Sequence, residues 1–368
     1  MQVITGNKAV ILGALRAGAN YYAGYPITPS SEIMEYWSNE IITAKSPYKL
    51  NFLQTEDEIS AIHSIIGASL AGATSFTATS GPGFSLMQEG IGLAFTYQTP
   101  IVIIDSQRVG PSTGMPTLTA QGDIMQTQYG SHGDYKSVVF YPNSVKEAYE
   151  LTIKAFDTAQ KVSGPVIILL DAFVSHIVEN VDLPTVEDIF SDIKNEIDSN
   201  TQEKDKRKYL PLAQDNHSRY FSGLTTKDNL PETKDPEAYK KWITERLDLY
   251  KQNEKDLVDF ELYSRGNAEN LIIAFGGLSR LLYEIIDSEP TMYDLFRPKV
   301  LFPTPSEQLK SIANRYKNIF VLEQNQGQYA NALRAETLLE IKSIPCNLGG
   351  YLDIQEIGDL LNKNTISK

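Results

Sequence analysis

The chain has 368 residues, of which 42% are hydrophobic and 21% are charged, which is typical of a folded protein with two or three domains. Its formal net charge of −13 excludes a general nucleic-acid surface, because such a surface needs clustered Lys and Arg to neutralise phosphates. No apolar run approaches the roughly 18 to 20 residues that span a bilayer, and no basic region precedes an apolar stretch at the N-terminus. We therefore expect a cytoplasmic protein.

The cysteine content restricts the metal chemistry of this chain. Cys346 is the single cysteine, whereas an iron–sulfur cluster typically takes four thiolates. The four histidines show no i, i+4 pair of the kind that forms a helical zinc site. We expect no metal site here, and any metal used for electron transfer should lie on another chain.

Residues 1–183 alternate short apolar runs with helical patterns. Near-continuous apolar strands between helices predict a doubly wound parallel sheet, covered by helices on both faces. The predicted helices are Asn7–Ala17, Ser30–Trp37, Asp57–Leu70, Ser85–Tyr97 and Ser144–Lys161. The predicted strands are Asn20–Gly24, Leu50–Gln54, Ser75–Thr79, Pro100–Asp105, Ser137–Phe140 and Pro165–Asp171.

The rest of the chain divides into two parts. Residues 184–265 are rich in charge and proline, which predicts a linker or insertion containing one charged helix, Pro236–Tyr250, with Asp235 as its N-cap. Residues 266–368 return to the alternating pattern and predict a second, smaller α/β domain. Its predicted strands are Leu271–Phe275, Lys299–Phe302 and Asn318–Glu323, and its predicted helices are Leu278–Asp287, Ser306–Tyr316 and Gln328–Ile341.

The segment Tyr25–Ser31 follows a predicted strand, at the edge where open α/β sheets bind ligands. Thr28 can be the N-cap of the next helix and Pro29 its first residue, so the helix end could hold an anion. The alternative is that Thr28 is only a cap.

Acidic residues follow the next predicted strand. Glu56 lies at the strand–helix junction, where a carboxylate beside a cofactor can be desolvated and its proton affinity becomes useful. Asp57 and Glu58 also fit a simpler explanation, because acids in a first helical turn complement the helix dipole.

Two further loops follow strands. Arg108 lies in a loop rich in Gly, Ser, Thr and Pro, where its guanidinium could grip a carboxylate through two hydrogen bonds, or equally could form a surface ion pair or clamp a backbone carbonyl. Ser80-Gly81-Pro82-Gly83 matches neither phosphate-binding glycine pattern. We interpret it as a tight turn that allows close approach to the backbone.

Taken together, these segments resemble the alpha subunit of the 2-oxoacid:ferredoxin oxidoreductases. The resemblance covers nearly the whole chain and is weakest around residues 186–210. The matching motifs occur in the family's order. They are Tyr25-Pro-Ile-Thr-Pro-Ser-Ser31, Glu56-Asp-Glu-Ile59, Thr77-Ala-Thr-Ser-Gly-Pro-Gly83, Gln107-Arg108 with Gly110-Pro-Ser-Thr-Gly-Met-Pro-Thr117, Gln121-Gly-Asp123, Ser222-Gly-Leu-Thr225 and Val321-Leu-Glu-Gln-Asn325.

The resemblance implies a fold and an activity. The fold is a pyrimidine-type thiamine-diphosphate domain followed by a smaller domain like the C-terminal domain of transketolase. The activity is oxidative decarboxylation of a 2-oxoacid with coenzyme A, which yields acyl-CoA, CO2 and reduced ferredoxin. The loop Gly110–Thr117 looks most like 2-oxoglutarate-type subunits, with branched-chain 2-oxoacid enzymes a close second.

The resemblance also implies residue roles. Glu56 is expected to hydrogen-bond N1′ of the aminopyrimidine ring, with Glu58 as the alternative. Thr28, Ser30 and Arg108 are expected to bind the substrate. The residues expected beside the cofactor are Tyr25, Pro26, Ile27, Ser80 and Gly81.

One half of such an active site is missing from the sequence. Thiamine enzymes hold diphosphate and Mg²⁺ with a Gly-Asp-Gly motif, and the Gly-Asp pairs at Asp123, Asp134 and Asp359 do not complete it. We therefore expect a beta subunit that carries Mg²⁺ and a [4Fe–4S] cluster, with any gamma subunit on a separate chain.

Two other classes of function remain open. The first is an α/β scaffold subunit without a catalytic role, in which the motifs serve folding only. The second is a nucleotide-binding oxidoreductase, although the chain has no G-x-G-x-x-G placed between a strand and a helix.

Overall fold

Two largely parallel sheets, one in each half of the chain, organise the protein. The computed structural model describes residues 1–199, 211–212, 225–227, 230–346 and 349–366. Within these ranges, no helix combines the length and the apolar character needed to cross a membrane. Residues 222–224 of the Ser222–Thr225 motif lie outside the described residues.

The first half alternates strands and helices, as its sequence pattern predicts. Its strands are β1 (Gln2–Thr5), β2 (Tyr21–Gly24), β3 (Asn51–Gln54), β4 (Ser75–Thr79), β5 (Ile101–Val109), β6 (Met115–Thr119), β7 (Val138–Phe140), β8 (Pro165–Asp171) and β9 (Val178–Val181). Its helices are α1 (Gly6–Arg16), α2 (Ser31–Tyr36), α3 (Glu58–Leu70), α4 (Gly81–Leu86), α5 (Gln88–Thr96), α6 (Gln126–Tyr129), α7 (Val145–Val162) and α8 (Ala172–His176). A π-helical turn, Trp37–Ile41, continues α2.

The second half contains two long helices and a second sheet. The elements up to residue 257 are α9 (Val186–Asp198), β10 (Thr225–Lys227), β11 (Leu230–Glu232) and α10 (Pro236–Leu257). The following strands are β12 (Phe260–Tyr263), β13 (Asn270–Ile273), β14 (Tyr293–Pro298), β15 (Val300–Phe302), β16 (Asn318–Glu323) and β17 (Ile341–Pro345). The helices among them are α11 (Leu278–Ser288), α12 (Ser306–Ala313), α13 (Gln328–Thr337) and α14 (Ile354–Ile366).

The first sheet has the strand order β15-β7-β8-β5-β4-β2-β3, and β6 pairs with β5. Strands β7, β8, β5, β4, β2 and β3 run parallel. Every residue of β4 and β8 is buried, because helices cover the sheet from both sides. The predicted doubly wound parallel sheet is confirmed.

The second sheet has the order β12-β14-β13-β16-β17 and is parallel except for β12. The chain also returns to the first sheet from this half, since β15 pairs antiparallel with β7. The two halves therefore share a sheet as well as side-chain contacts. The domain boundaries at residues 183/184 and 265/266 remain predictions.

The charged segment before the second sheet contains the predicted helix. Asp235 caps α10 by accepting hydrogen bonds from the backbone N–H groups of Glu237 and Ala238, and Pro236 lies in the first turn. The helix continues past the predicted end at Tyr250 to Leu257. Its Arg246 is 1% exposed, donates to the carbonyls of Val162 and Ser163, and thereby ties α10 to the end of α7.

Three local predictions were wrong. Thr28 is not an N-cap, because residues 28–30 form a turn and α2 begins at Ser31. Residues 80–83 do not form the predicted tight turn, since Gly81 begins α4 and Pro82 suits its first turn, although Glu58 and Thr79 do approach the backbone closely at Gly83, as predicted. Helix α13 ends at Thr337, and Leu338 adopts a left-handed conformation that stops the helix before strand β17.

Candidate active site

Four polar segments leave the first sheet at the same edge. Strands β5, β4, β2 and β3 are neighbours and run parallel, so their carboxyl ends lie side by side. Gly24 and Gln54 are register partners at the ends of β2 and β3, and the N–H of Thr55 donates to the carbonyl of Gly24 at 2.9 Å. Tyr25 and Glu56 therefore leave the sheet from adjacent points.

Arg108 occupies the centre of this edge. It is 8% exposed, and its Nη1 donates to the backbone carbonyl of Thr28 at 2.8 Å. Its Nε is buried and has no hydrogen-bond partner among the described residues. Burial lowers the pKa of Arg108, while the nearby carboxyls of Glu58, Asp105 and Asp123 oppose that shift. The contact with Thr28 joins two of the predicted substrate-binding residues.

The two candidate glutamates occupy different environments. Glu56 is exposed, whereas Glu58 is 5% exposed. A Cβ at Gly83 would overlap the carboxyl of Glu58 and the hydroxyl of Thr79, so Glu58 lies beneath the start of α4. Burial raises the pKa of Glu58, and the charge of Arg108 partly offsets this effect. Glu56 is therefore accessible to a ligand at the sheet edge, and Glu58 is packed inside the protein.

The other predicted site residues surround these groups. Tyr25 is 39% exposed, Pro26 is also exposed, and Ile27 and Thr28 are half-buried. Ser30 is 2% exposed and its hydroxyl donates to the carbonyl of Ile27 at 2.9 Å. The side chain of Ser30 is thus used within the turn, while Tyr25 and Pro26 present an accessible apolar surface.

Ser80 and Gly81 form the part of the edge between Arg108 and α4. Ser80 is fully buried, and its hydroxyl has no hydrogen-bond partner among the described residues. A Cβ at Gly81 would lie 3.9 Å from Oδ2 of Asp123 and 4.0 Å from Cγ of Arg108. These distances place Gly81 beside the aliphatic part of the Arg108 side chain and the carboxyl of Asp123.

A pair of carboxyl groups, those of the fully buried Asp105 and the half-buried Asp123, lies next to Arg108. Burial raises the pKa of both, and the charge of Asp123 raises the pKa of Asp105 further. The sequence analysis did not assign either residue to the site. Asp105 ends an apolar strand, which is the signal that could have identified it, whereas Asp123 was considered only as part of an incomplete Gly-Asp-Gly motif.

The loop of residues 121–125, which contains Asp123, is held by the second half of the chain. Nδ2 of Asn325 donates to the carbonyl of Gln121 at 2.7 Å, and Oε1 of Gln328 accepts from the N–H of Met125 at 3.0 Å. The side chain of Gln121 in turn accepts from the N–H of Gln324 at 3.1 Å. The Val321–Gln328 motif therefore contacts the candidate site through this loop.

Models of known families match most of the chain. A model described as pyruvate flavodoxin/ferredoxin oxidoreductase, thiamine-diphosphate-binding, matches residues 12–245, and one described as pyruvate:ferredoxin oxidoreductase core domain II matches residues 268–352. The chain belongs to the 2-oxoacid:ferredoxin oxidoreductase family. The predicted family is confirmed, and the domain in residues 12–245 is of a thiamine-diphosphate-binding type.

Members of this oxidoreductase family from archaea are similar over their full length. The 2-oxoglutarate synthase subunit KorA of Archaeoglobus fulgidus is 38% identical over 94% of both chains. The ketoisovalerate oxidoreductase subunit VorB of Methanothermobacter marburgensis is 32% identical over 98% of this chain and 96% of its own. Both relatives are named as subunits of larger enzymes.

Solved structures confirm the predicted fold class. The 2-oxoglutarate:ferredoxin oxidoreductase of Magnetococcus marinus, determined with 2-oxoglutarate, coenzyme A and succinyl-CoA bound, superposes with a TM-score of 0.87 at 27% identity. The match covers 98% of this chain and 65% of that one. A split-gene transketolase, at 13% identity and a TM-score of 0.56, shares the fold.

The residues at the sheet edge fit the pyrimidine half of the family's cofactor. An aminopyrimidine ring needs a carboxylate at N1′ and an apolar surface beside it, and groups of both kinds, Glu56 and Tyr25, leave adjacent strand ends. By contrast, among the residues that the structure describes, no group of three or more His, Cys, Asp or Glu side chains could hold a metal ion.

Proposed function

We propose that this chain is the alpha subunit of a 2-oxoacid:ferredoxin oxidoreductase whose preferred substrate is 2-oxoglutarate. The observation that supports this most is the full-length similarity to a 2-oxoglutarate synthase subunit. In the reaction, the 2-oxoacid and coenzyme A give acyl-CoA, CO2 and a proton, and two electrons reduce two ferredoxins by one electron each. We also propose that the enzyme is cytoplasmic.

Arg108 and Thr28 bind the carboxylate and carbonyl end of the substrate. The guanidinium already donates to the Thr28 carbonyl, which fixes its position while its buried Nε remains available. A charge-assisted hydrogen bond in a water-poor site contributes about 1.5–3 kcal/mol. The fixed guanidinium therefore orients the 2-oxoacid at the sheet edge. Because the hydroxyl of Ser30 already donates to Ile27, Ser30 contributes by shaping the turn that presents Thr28.

Glu56 would hydrogen-bond N1′ of the aminopyrimidine and give it a proton, which favours the imino tautomer. Thiamine diphosphate, when bound, supplies the carbon nucleophile and the electron sink that decarboxylation needs. Glu56 is exposed at the end of β3, where the ring can reach it. Glu58 is the desolvated carboxyl, enclosed by α4 and with a raised pKa, and desolvation is the property that makes a carboxyl useful in proton transfer, so Glu58 remains the alternative. Tyr25, Pro26 and Ile27 pack beside the ring, and Ser80 and Gly81 form the adjoining wall.

A beta subunit completes the site by binding the diphosphate, Mg²⁺ and a [4Fe–4S] cluster. Exposed apolar side chains at the sheet edge suit burial by such a partner. Tyr25 follows β2, Leu53 lies on the edge strand β3, and Ile59 lies in the first turn of α3, with exposed fractions of 39%, 42% and 46%. Ferredoxin is expected to accept electrons from the cluster.

The test is an anaerobic assay of the assembled enzyme. The chain is co-purified with its beta subunit, with clusters replete, and viologen reduction is measured with coenzyme A across a panel of 2-oxoacids. We expect the highest kcat/KM with 2-oxoglutarate. No reduction with any 2-oxoacid would contradict the proposed function, and dependence on ATP or NAD(P) would favour the nucleotide-binding alternative.

A branched-chain 2-oxoacid is the second candidate substrate. The similarity to a ketoisovalerate oxidoreductase subunit, 32% identical over nearly the whole chain, supports it. The same panel separates the two candidates, since a kcat/KM for 2-oxoisovalerate above that for 2-oxoglutarate would replace the first proposal with the second.

A further inference from the structure

The carboxyl groups of Asp105, which is fully buried, and Asp123, which is half-buried, form a pair with few hydrogen-bond donors. Asp105 is completely buried on β5, and neither of its carboxyl oxygens has a full hydrogen bond within the described part of the chain. The same holds for Oδ2 of Asp123, although the two carboxyl groups are hydrogen-bond neighbours. Two carboxylates cannot hydrogen-bond to each other unless a proton lies between them.

The loop that contains Asp123 is fixed in place. The backbone N–H of Asp123 donates to Oε1 of Gln107 at 3.0 Å, and Nε2 of the same Gln107 donates to the hydroxyl of Tyr141 at 2.7 Å. Asn325 and Gln328 hold the loop from the other side. The backbone of Asp123 cannot move away from β5 without breaking these contacts, which keeps its carboxyl group near that of Asp105.

Charges face the pair from several elements. Arg108 on β5 is the nearby cation, and Glu58 on α3 is a further carboxyl near that guanidinium. Tyr141 follows β7, and burial together with Asp171, Asp105 and Asp123 raises its pKa, so it is neutral near pH 7. The N–H of Gly81 at the start of α4 favours the charged form of Asp105. One arginine is thus surrounded by three carboxyl groups.

We propose that Asp105 and Asp123 share one proton, and that this proton keeps the charge of Arg108 available to the substrate carboxylate. The proposal rests on the proposed function of Arg108. If both aspartates and Glu58 were ionised, three negative charges would surround one guanidinium and would repel an incoming carboxylate. With one proton held by the pair, Asp105 and Asp123 together carry a single negative charge, and they act as positioning residues for Arg108.

The proton shared by Asp105 and Asp123 determines the direction in which KM changes with pH. Burial and the adjacent carboxyl raise the pKa of Asp105, so the shared proton is present at low pH and is lost as the pH rises. The extra negative charge then weakens binding of the 2-oxoacid. A neighbouring charge changes an equilibrium constant by about tenfold, which is the equivalent of one pKa unit. KM for the 2-oxoacid should therefore rise by about tenfold, while kcat changes less.

An infrared measurement tests the shared proton directly. Spectra of the wild-type complex and of the double variant D105N/D123N are compared at about pH 7, near the middle of the working range. We expect the difference spectrum to contain one protonated carboxyl and one carboxylate. Two ionised carboxylates in the difference spectrum would overturn the proposal.

Kinetics test the consequence for the substrate. KM for the 2-oxoacid is measured in the assembled complex from about pH 6 to about pH 9, a window above the ordinary Asp pKa. The wild-type enzyme should show the rise in KM, and D105N/D123N should not. The variant D123N removes the neighbouring carboxyl that raises the pKa of Asp105, so its rise in KM should shift to lower pH, and a rise at the wild-type pH would also overturn the proposal. D123N replaces the double variant in this test if D105N/D123N does not fold.

Asp294 provides a matched control. It is 4% exposed on β14 in the other sheet, and its Oδ2 accepts from the hydroxyl of Tyr316 at 2.9 Å, a bond that an Asn can also accept. D294N should retain the wild-type pH profile. The infrared comparison decides for or against the shared proton even in a complex that oxidises no 2-oxoacid, so failure of this inference can be told apart from failure of the proposed function.

Discussion

Arg108 is the residue on which substrate binding depends most. Its guanidinium is held by the carbonyl of Thr28 at 2.8 Å and is nearly enclosed. Lysine keeps the positive charge but cannot reproduce the planar fork that donates to two acceptors at once. The geometry of the guanidinium is therefore expected to matter as much as its charge.

Arg108→Lys should raise KM for the 2-oxoacid by about tenfold, because the loss of one charge-assisted hydrogen bond costs about 1.5 kcal/mol. Steady-state viologen reduction by the assembled complex measures this change. Arg265→Lys is the control, since Arg265 is exposed and pairs with Asp287 at the surface. An Arg108→Lys enzyme with unchanged KM would show that this guanidinium does not contact the substrate.

The sequence identified the residues at the strand ends but not their partners. Glu56 follows an apolar strand. Arg108 was predicted in a loop but lies on β5 near its carboxyl end, so a parallel sheet brings the two residues to one edge. The pairing of Asp105 with Asp123 depends on a loop returning to the sheet, which residue spacing does not reveal. The burial of Glu58 depends on the packing of α4 at Gly83, which lies 25 positions further along the chain.

At the scale of elements, periodicity gave most strands and helices to within a few residues. Strands β4, β8 and β16 have the predicted bounds. Short strands with mixed burial, such as β6 and β17, were missed because alternation over so few residues is weak. The predicted start of α2 was wrong because a Thr-Pro pair also suits a turn.

Helix α13 begins with Gln328, which connects the second half of the chain to the loop of Asp123. Gln328→Ala removes its hydrogen bonds to the backbone of Gly122 and Met125. The loop should loosen, and KM for the 2-oxoacid should rise roughly fivefold, since one or two lost hydrogen bonds cost about 1 kcal/mol.

The control for this change is Gln355→Ala, at an exposed position on α14. Both variants are assayed in the assembled complex, and their thermal unfolding is compared. If Gln328→Ala retains the wild-type KM, the second half of the chain has no influence on the substrate side of the site.

At the scale of the whole molecule, the two halves meet around a buried carboxylate. Asp171 ends β8 and is completely buried, and its Oδ2 accepts from the N–H of Gly277 at 2.7 Å. Nε2 of Gln121 donates to the carbonyl of Phe275 at 3.0 Å beside it. Sequence patterns predicted both halves but not this contact, because it joins residues more than 100 positions apart.

Burial raises the pKa of Asp171 to about 6, against which its backbone hydrogen bonds act. The folded state therefore binds the proton more tightly than the unfolded state does. The contribution of Asp171 to the free energy of unfolding is largest below the ordinary Asp pKa and falls as the pH rises to about 6. A shift of about two units corresponds to about 3 kcal/mol.

Urea unfolding of the wild type and of Asp171→Asn at several pH values measures this effect. The free energy of unfolding of the wild type, minus that of the variant, should fall between about pH 4 and about pH 6 and then level off. The lost hydrogen bonds add an offset that does not vary with pH. A difference that stays constant across this window would contradict the raised pKa.

The central claim is that this chain contributes catalytic groups to a site completed by another subunit. The most direct test compares Glu56→Gln with Glu58→Gln in the assembled, cluster-replete complex, using viologen reduction with 2-oxoglutarate and coenzyme A. We expect Glu56→Gln to lower kcat by about tenfold to a hundredfold, because Gln cannot give a proton to N1′. Glu58→Gln should lower kcat less. If Glu56→Gln leaves turnover unchanged while Glu58→Gln abolishes it, the group that protonates N1′ is Glu58, and if neither change affects turnover, the chain is a scaffold and the account is wrong.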